Sequence, residues 1–117
     1  MGTSFRELVG LDVGELGDGT AVVTMEAGEQ HLNPHGTVHG GAIATLVDVA
    51  MGGAVAAAGA EAPVTIEMKV TYLEPAQQGQ LRAEAKVRKR GKRITIVEAE
   101  VHQEDDLIAL ALATFTS

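Results

Sequence analysis

The feature that most constrains the fold is residues 41–58, a run that is almost wholly apolar or small. As one helix this run would be about 27 Å long at the usual helical rise. Asp48 lies in it as the only charged residue between His39 and Glu61. A membrane span has a similar length and composition. The central carboxylate and the strand patterns on both sides favour instead a helix buried against a sheet, with no membrane as a partner.

Alternating apolar and polar residues predict strands before and after this helix. The expected strands are residues 20–26, 64–72, 81–88, 93–103 and 107–116. The last is apolar on both faces, which is typical of an internal strand. A capping-box spacing that begins at Ser4 predicts a short helix to about Gly10. The order predicts an α+β fold, with one long helix on an antiparallel sheet, in a single domain of residues 1–117.

Composition argues against several classes of function. The net charge of −7, two Phe, one Tyr and no Trp disfavour a nucleic-acid partner. The chain has no Cys, which excludes thiolate chemistry and disulfides. His31, His35 and His39 recur every four residues, but Pro34 and Gly36 disfavour the helix that would make this spacing a metal site. We expect no metal, and a cytoplasmic protein because no secretion signal is recognisable.

Asp48 and the segment before the helix are the strongest candidates for chemistry. A carboxylate on an apolar helix is costly unless it is paired or used, and loss of hydration suits a base or a nucleophile. The alternative is that Asp48 faces a polar gap or an interface. Asn33 offers an amide donor, and the N–H groups of Gly40 and Gly41 would lie at the positive end of the helix. Such N–H groups stabilise a developing oxyanion.

The spacing of these groups predicts a site made by two chains. Asp48 follows Gly41 by seven residues, which is about 10 Å of helix rise. That is too far for Asp48 to attack a carbonyl bound at its own helix start. Antiparallel helices from two subunits would bring each helix start beside the other helix's middle, so we expect a homodimer as the minimum unit.

These residues resemble a known family. The segment 33–41, Asn-Pro-His-Gly-Thr-Val-His-Gly-Gly, followed by Thr-Leu-Val-Asp at 45–48, is similar to the hotdog-fold thioesterases of the PaaI and 4-hydroxybenzoyl-CoA type. The likeness continues in residues 64–76 and covers nearly the whole chain. It implies the hotdog fold and hydrolysis of an acyl-CoA, of aryl or phenylacetyl type, by a homotetramer built from dimers. No cofactor is implied, because CoA is part of the substrate.

The resemblance implies roles for the candidate residues. Asp48 would act as nucleophile or as general base on water. The N–H of Gly40 or Gly41 would bind the thioester carbonyl, and Asn33 would help to hold the carbonyl or the water. Relatives of the hydroxybenzoyl type carry Ser or Thr four residues after the acid. This chain has Gly52 there, which argues against a close match to that group.

Two further residues have a structural alternative beside the implied role. His39 is similar to the family histidine that orders the loop, and an ordering role is favoured over proton transfer. Thr65 occupies the position where a relative has a serine near the attacking water. Threonine in the middle of a strand is also an ordinary strand former.

A cationic segment has two interpretations. Five of the nine Lys and Arg residues lie in residues 88–93, called the basic turn here. The resemblance implies that CoA contacts this turn and the segment 72–76. The implied contacts are Tyr72, Leu73, Lys89, Arg90, Gly91 and Lys92. Lysine or arginine can pair with the CoA phosphates. The alternative is a solvated turn whose charge blocks aggregation at the sheet edge.

Other functions stay open from the sequence. Within the fold, the chain could act on an acyl-carrier-protein thioester or resemble a hydratase, although the Asp/His pairing of hydratases is not found. Outside enzymes, it could be a regulatory protein that binds acyl-CoA without catalysis, or a dimeric structural protein. Asp48 favours the enzyme, because a pure binder needs no carboxylate beside a thioester.

Overall fold

The computed structural model describes residues 4–117, which form one antiparallel sheet and one long helix. Its helices are α1 (Phe5–Val9) and α2 (Gly40–Ala57), with a 3-10 turn at Glu29–His31. Its strands are β1 (Leu11–Gly17), β2 (Thr20–Ala27), β3 (Thr65–Tyr72), β4 (Gly79–Arg90), β5 (Ile94–Gln103) and β6 (Asp106–Thr116). The strand order is β1-β2-β4-β5-β6-β3. The predicted arrangement, one long helix on an antiparallel sheet, is confirmed.

One face of α2 packs closely on the sheet. Its buried side chains are Ile43, Leu46, Val47, Ala50, Met51, Ala54 and Val55. Alanines dominate the opposing sheet face, because β2, β4, β5 and β6 each place buried alanines there. The helix and the sheet are in direct contact. A Cβ atom on Gly53 would lie 3.3 Å from the Cβ of Ala21, and one on Gly52 would lie 3.4 Å from the ring of Phe115. Small residues therefore set the distance between the two layers.

The sheet of this chain covers only one face of α2. Thr45, Asp48, Val49 and Gly52 are only partly buried in this chain. The sheet is a single layer, so it covers one face of the helix and leaves the other accessible. Of the described helices, α2 has the length and composition to cross a membrane, with 39% of its residues buried here.

The strand β1 was missed in the sequence. Its residues Leu-Asp-Val-Gly-Glu-Leu-Gly contain two glycines, and its pairing with β2 shifts register between Val13 and Leu16. Among its residues Leu11 alone is buried. A strand with one buried residue and a register shift lacks the regular alternation that the pattern needs.

The sheet has an open edge at β3, next to the internal strand β6. As predicted, β6 is internal, because it pairs with both β5 and β3. β3 pairs with β6 on one side, and its other edge is unpaired among residues 4–117. Val64 and Ile66 at the start of this edge are 62% and 54% exposed. An open edge with apolar side chains is a surface suited to pairing with another strand.

His31 fixes the loop that precedes α2 to the N-terminal helix. Its side chain is 6% exposed. Nδ1 accepts the Gly28 N–H at 2.9 Å, and Nε2 lies 2.5 Å from the Val9 carbonyl oxygen. The His31 carbonyl accepts the His39 N–H at 2.7 Å. Both ring nitrogens of His31 and its carbonyl oxygen therefore form hydrogen bonds within the protein.

The helix–sheet contact predicts a large loss of stability for Leu46→Ala. Leu46 is 0% exposed at this contact, whereas Leu8 on α1 is 70% exposed. We expect Leu46→Ala to lower the free energy of unfolding by about 3 kcal/mol, because it removes buried methyl groups and leaves a cavity. Leu8→Ala is the matched control, with an expected change below about 0.5 kcal/mol. Urea unfolding at one protein concentration measures both, and equal changes would contradict this account of the contact.

Candidate active site

The first turn of α2 leaves one backbone donor free. His39 is the N-cap residue, and its Nδ1 accepts the Gly41 N–H at 2.8 Å. Its carbonyl accepts the Ala42 N–H at 2.9 Å. Within residues 4–117 the Gly40 N–H has no such partner. Gly40 therefore presents an unpaired N–H at the positive end of the helix, a position suited to a negative oxygen.

Asn33 closes the loop that leads to the helix. Its Oδ1 accepts the N–H groups of His35 and Thr37 at 2.9 and 3.2 Å, and its Nδ2 donates to Thr37 Oγ1 at 2.9 Å. Gly36, between them, has a φ of 85°, which glycine adopts without strain. Three of the hydrogen bonds that shape the loop thus come from one side chain, and one amide hydrogen of Asn33 remains for a further contact.

Asp48 and Thr65 lie side by side. The Thr65 Oγ1, on β3, donates to the Asp48 Oδ1 at 2.7 Å. Both residues are partly buried, and Asp48 belongs to the face of α2 that the sheet leaves uncovered. Thr45, one turn earlier, donates instead to the Gly41 carbonyl at 2.8 Å. Thr65 therefore fixes one carboxylate oxygen of Asp48, and the other has no hydrogen bond within residues 4–117.

Within one chain the structure does not bring Asp48 to the helix start. Asp48 follows Gly40 by eight positions, which is about 12 Å along α2. The sequence-predicted residues thus fall into two groups. Asp48 and Thr65 form one, in the middle of the helix, and Asn33, His39 and Gly40 form the other, at its start.

Tyr72 and Leu73 border a cavity beside the helix start. The cavity has a volume of about 320 Å³, and its walls come from three segments. The lining residues are Val38, Gly40, Ile43 and residues 72–76. The Tyr72 hydroxyl donates to the Gly40 carbonyl at 2.8 Å. One part of the predicted CoA-contacting segment therefore contacts Gly40, the residue whose N–H is free within the described chain.

The basic turn lies at the opposite end of α2. The Arg90 guanidinium donates to the carbonyl of Ala58, the C-cap residue of the helix. Gly91 makes a close backbone approach, since a Cβ there would lie 2.7 Å from the Ile94 carbonyl oxygen. Arg90 and Gly91 thus have structural roles in shaping this turn.

The cations of the turn differ in what they contact. Arg88 pairs with Glu98 at 3.2 Å on neighbouring strands. Lys89 and Lys92 are exposed, and neither forms an ion pair among the described residues. These two lysines, together with the exposed Arg93, are the cations of the turn whose side chains make neither an ion pair nor a hydrogen bond within residues 4–117.

Three contacts of the site were not anticipated. They are the His39–Gly41 cap, the Tyr72–Gly40 hydrogen bond and the Arg90–Ala58 hydrogen bond. For the cap a signal existed, because His39 directly precedes the helix. The other two join residues 32 positions apart, and no local pattern marks them.

Comparison with known proteins places the chain in a family. Residues 35–109 match the model of the thioesterase superfamily. The acyl-coenzyme A thioesterase PaaI of Escherichia coli is 36% identical over 104 residues, which cover 87% of this chain and 74% of that protein. A solved structure of E. coli PaaI matches with a TM-score of 0.89 and 32% identity, over 95% of this chain and 81% of the other.

Two further structures are similar over nearly the whole chain. A conserved protein of Pseudomonas aeruginosa matches with a TM-score of 0.95 and 40% identity, over 99% of this chain and 94% of that one. A Streptococcus mutans protein, solved with bound acetyl CoA, matches with a TM-score of 0.85 and 27% identity, over 92% and 88% of the two chains. The chain therefore belongs to the thioesterase superfamily, as a PaaI-like enzyme of the hotdog fold that hydrolyses thioesters.

Proposed function

We propose that this enzyme hydrolyses acyl-CoA, with an aryl or phenylacetyl acyl group, to the free acid and CoA. The observation that carries the proposal is a carboxylate, Asp48, held by Thr65 on the open face of an apolar helix. The naming of E. coli PaaI as an acyl-CoA thioesterase and the acetyl CoA bound to the S. mutans protein support CoA as the thiol.

In the proposed reaction Asp48 has one of two roles. It attacks the thioester carbonyl carbon as a nucleophile, or it takes a proton from a water molecule that then attacks this carbon. Thr65 binds Oδ1 and so orients Oδ2 toward the reacting group. The carbonyl carbon gains an oxygen, the C–S bond breaks, and the CoA sulfur leaves as thiolate and takes up a proton. If Asp48 attacks directly, water then hydrolyses the acyl-aspartate. Positioning and general-base action are the contributions of these residues.

Gly40, rather than Gly41, is the proposed donor to the developing oxyanion. The Gly41 N–H is already bound by His39 Nδ1, whereas the Gly40 N–H is free within the described chain. His39 thereby caps the helix start, which supports the ordering role proposed for it. Asn33 keeps the loop closed, and its remaining amide hydrogen is available to the carbonyl or the water.

The proposed site is completed by a second subunit. The open edge of β3 allows two copies to continue one sheet, and the uncovered faces of α2 would then meet. Antiparallel helices would set Asp48 of one copy near Gly40 of the other. A homodimer is thus the proposed minimum unit, and assembly into a homotetramer and a cytoplasmic location stay predictions.

The same arrangement gives the basic turn a role. It lies at the end of α2, so antiparallel pairing would bring it toward the partner's helix start and the cavity beside Tyr72. Lys89 and Lys92 are free to meet the CoA phosphates, while Arg90 and Gly91 hold the shape of the turn. Lysine is suited to this as a point charge on a flexible stem.

The function is tested with a panel of thioesters and a thiol-detecting reagent. Phenylacetyl-CoA, benzoyl-CoA, short and long aliphatic acyl-CoAs and an acyl-carrier-protein thioester are compared. We expect Asp48→Asn to lower kcat by about 10²- to 10⁴-fold on the best substrate, because it removes the charge of the base at constant size.

Isothermal titration with CoA is the control for Asp48→Asn, since the variant should still bind the product. A variant that kept more than a tenth of the wild-type rate would contradict the role of Asp48. If the carrier-protein thioester were the best substrate, the proposed thiol would be the carrier protein and not CoA. If no thioester of the panel were hydrolysed, the proposed function would be refuted.

Replacing both free lysines, Lys89→Ala with Lys92→Ala, should raise KM for acyl-CoA and leave kcat nearly unchanged. Contacts to phosphates far from the carbonyl bind substrate and transition state equally. Added salt should raise the wild-type KM more than that of the double variant, because it screens these charges. Lys69→Ala, on another exposed surface of the sheet, is the matched control. If the double variant had the wild-type KM at low salt, the charge of the turn would serve only to block aggregation at the sheet edge.

A mixing experiment tests whether two chains share the site. Asn33→Ala and Asp48→Asn should each be nearly inactive alone. After co-refolding, about half of the dimers would be mixed, each with one intact site of two, so activity should return to about a quarter of wild type. Subunits with different tags confirm the mixing. Complete mixing without recovered activity would mean that the site lies within one chain.

A further inference from the structure

The end of β3 and the first turn of α2 are joined by a single tyrosine. Tyr72 donates from its hydroxyl to the Gly40 carbonyl at 2.8 Å, although its side chain is 50% exposed. Its ring also lies against the glycine. A Cβ on Gly40 would be 3.3 Å from Tyr72 Cζ and 3.4 Å from the hydroxyl oxygen. Both the carbonyl and the Cα of Gly40 are therefore held by this side chain.

Gly40 needs such support if its N–H is to bind an oxyanion. Glycine has more backbone freedom than any other residue, and the first turn of a helix is held by fewer hydrogen bonds than its middle. An oxyanion donor is effective when it is fixed in place before the charge develops. A hydrogen bond to the carbonyl of the same residue restricts rotation about the bonds that set the direction of the N–H.

We infer that Tyr72 is a positioning residue for the Gly40 N–H, in addition to lining the proposed CoA segment. This inference rests on the proposed function, because it needs Gly40 as the oxyanion donor. The hydroxyl acts through Gly40 and does not touch the reacting atoms. Glycine at position 40 and tyrosine at position 72 then depend on each other, since a larger residue at 40 would displace the ring.

Tyr72→Phe tests the role of the hydroxyl alone, because the ring and its packing stay. We expect kcat to fall about 3- to 10-fold, which is less than the 10²- to 10³-fold that removal of an oxyanion donor costs. KM should change by less than about twofold, because remote contacts with CoA are kept. Thr114→Val is the matched control. It removes a hydroxyl that donates to Glu67 at 2.7 Å, and it should leave kcat and KM unchanged.

A second variant tests the same contact from the other side. Gly40→Ala should lower kcat by a similar factor, because its Cβ pushes the Tyr72 ring aside. The backbone of Gly40 is not in the left-handed region, so alanine introduces no strain in φ. The double variant should be no slower than Gly40→Ala alone, because both changes break one interaction. If the fold-losses of kcat in the two single variants multiplied in the double variant, the proposed link between Tyr72 and Gly40 would be contradicted.

Infrared spectroscopy gives a readout that does not depend on turnover. In the Asp48→Asn background, the carbonyl stretch of a bound thioester should lie at lower frequency than in water, and adding Tyr72→Phe should reverse part of that shift. No reversal, or a raised KM with unchanged kcat, would overturn the positioning role. A wild-type enzyme without turnover of any acyl-CoA would instead refute the proposed function.

Discussion

The close contact between α2 and the sheet is the constraint on which the rest of the structure depends. Alanines on the strands and glycines on the helix bring the two layers together. A hydrogen bond of 2.7 Å between Asp48 on α2 and Thr65 on β3 is possible because the layers are this close. Larger residues at the contact would move the helix outward, and the short Thr65 side chain could no longer reach the carboxylate.

Much of the fold could be predicted because its signals are local. The apolar run that became α2 and the alternation in five of the six strands are properties of neighbouring residues. β1 lacked that signal, since Leu11 is its single buried residue. No local signal shows either which face of α2 its own sheet leaves uncovered. An apolar face looks the same in sequence whether its own sheet or a second chain is expected to cover it.

The candidate site was predictable in its residue types but not in its internal contacts. Asp48 and Thr65 were both expected at the site, and the structure joins them. Asn33 was expected to hold the carbonyl or the water and His39 to order the loop, and in the structure the side chains of both accept backbone N–H groups. Which of two adjacent glycines keeps a free N–H depends on the orientation of one imidazole, and spacing alone does not determine that.

The two ends of α2 are used differently. Its first turn keeps a free N–H and is supported by Tyr72, whereas its last turn is capped by Arg90 from the basic turn. The positive end of the helix dipole is thus open to an anion, and the negative end is neutralised by a cation of the same chain. An anion can therefore approach α2 at its first turn, whereas its last turn is already occupied by Arg90.

The His31 side chain has a consequence for the N-terminal helix. α1 has no fully buried residue, so apolar burial does little to hold it against the body of the protein. The imidazole of His31 reaches it at the Val9 carbonyl, and the backbone of His31 also binds His39, the cap of α2. Because Nδ1 accepts the Gly28 N–H, the ring must carry its proton on Nε2. A single tautomer of one histidine thus links α1 to the loop that precedes α2.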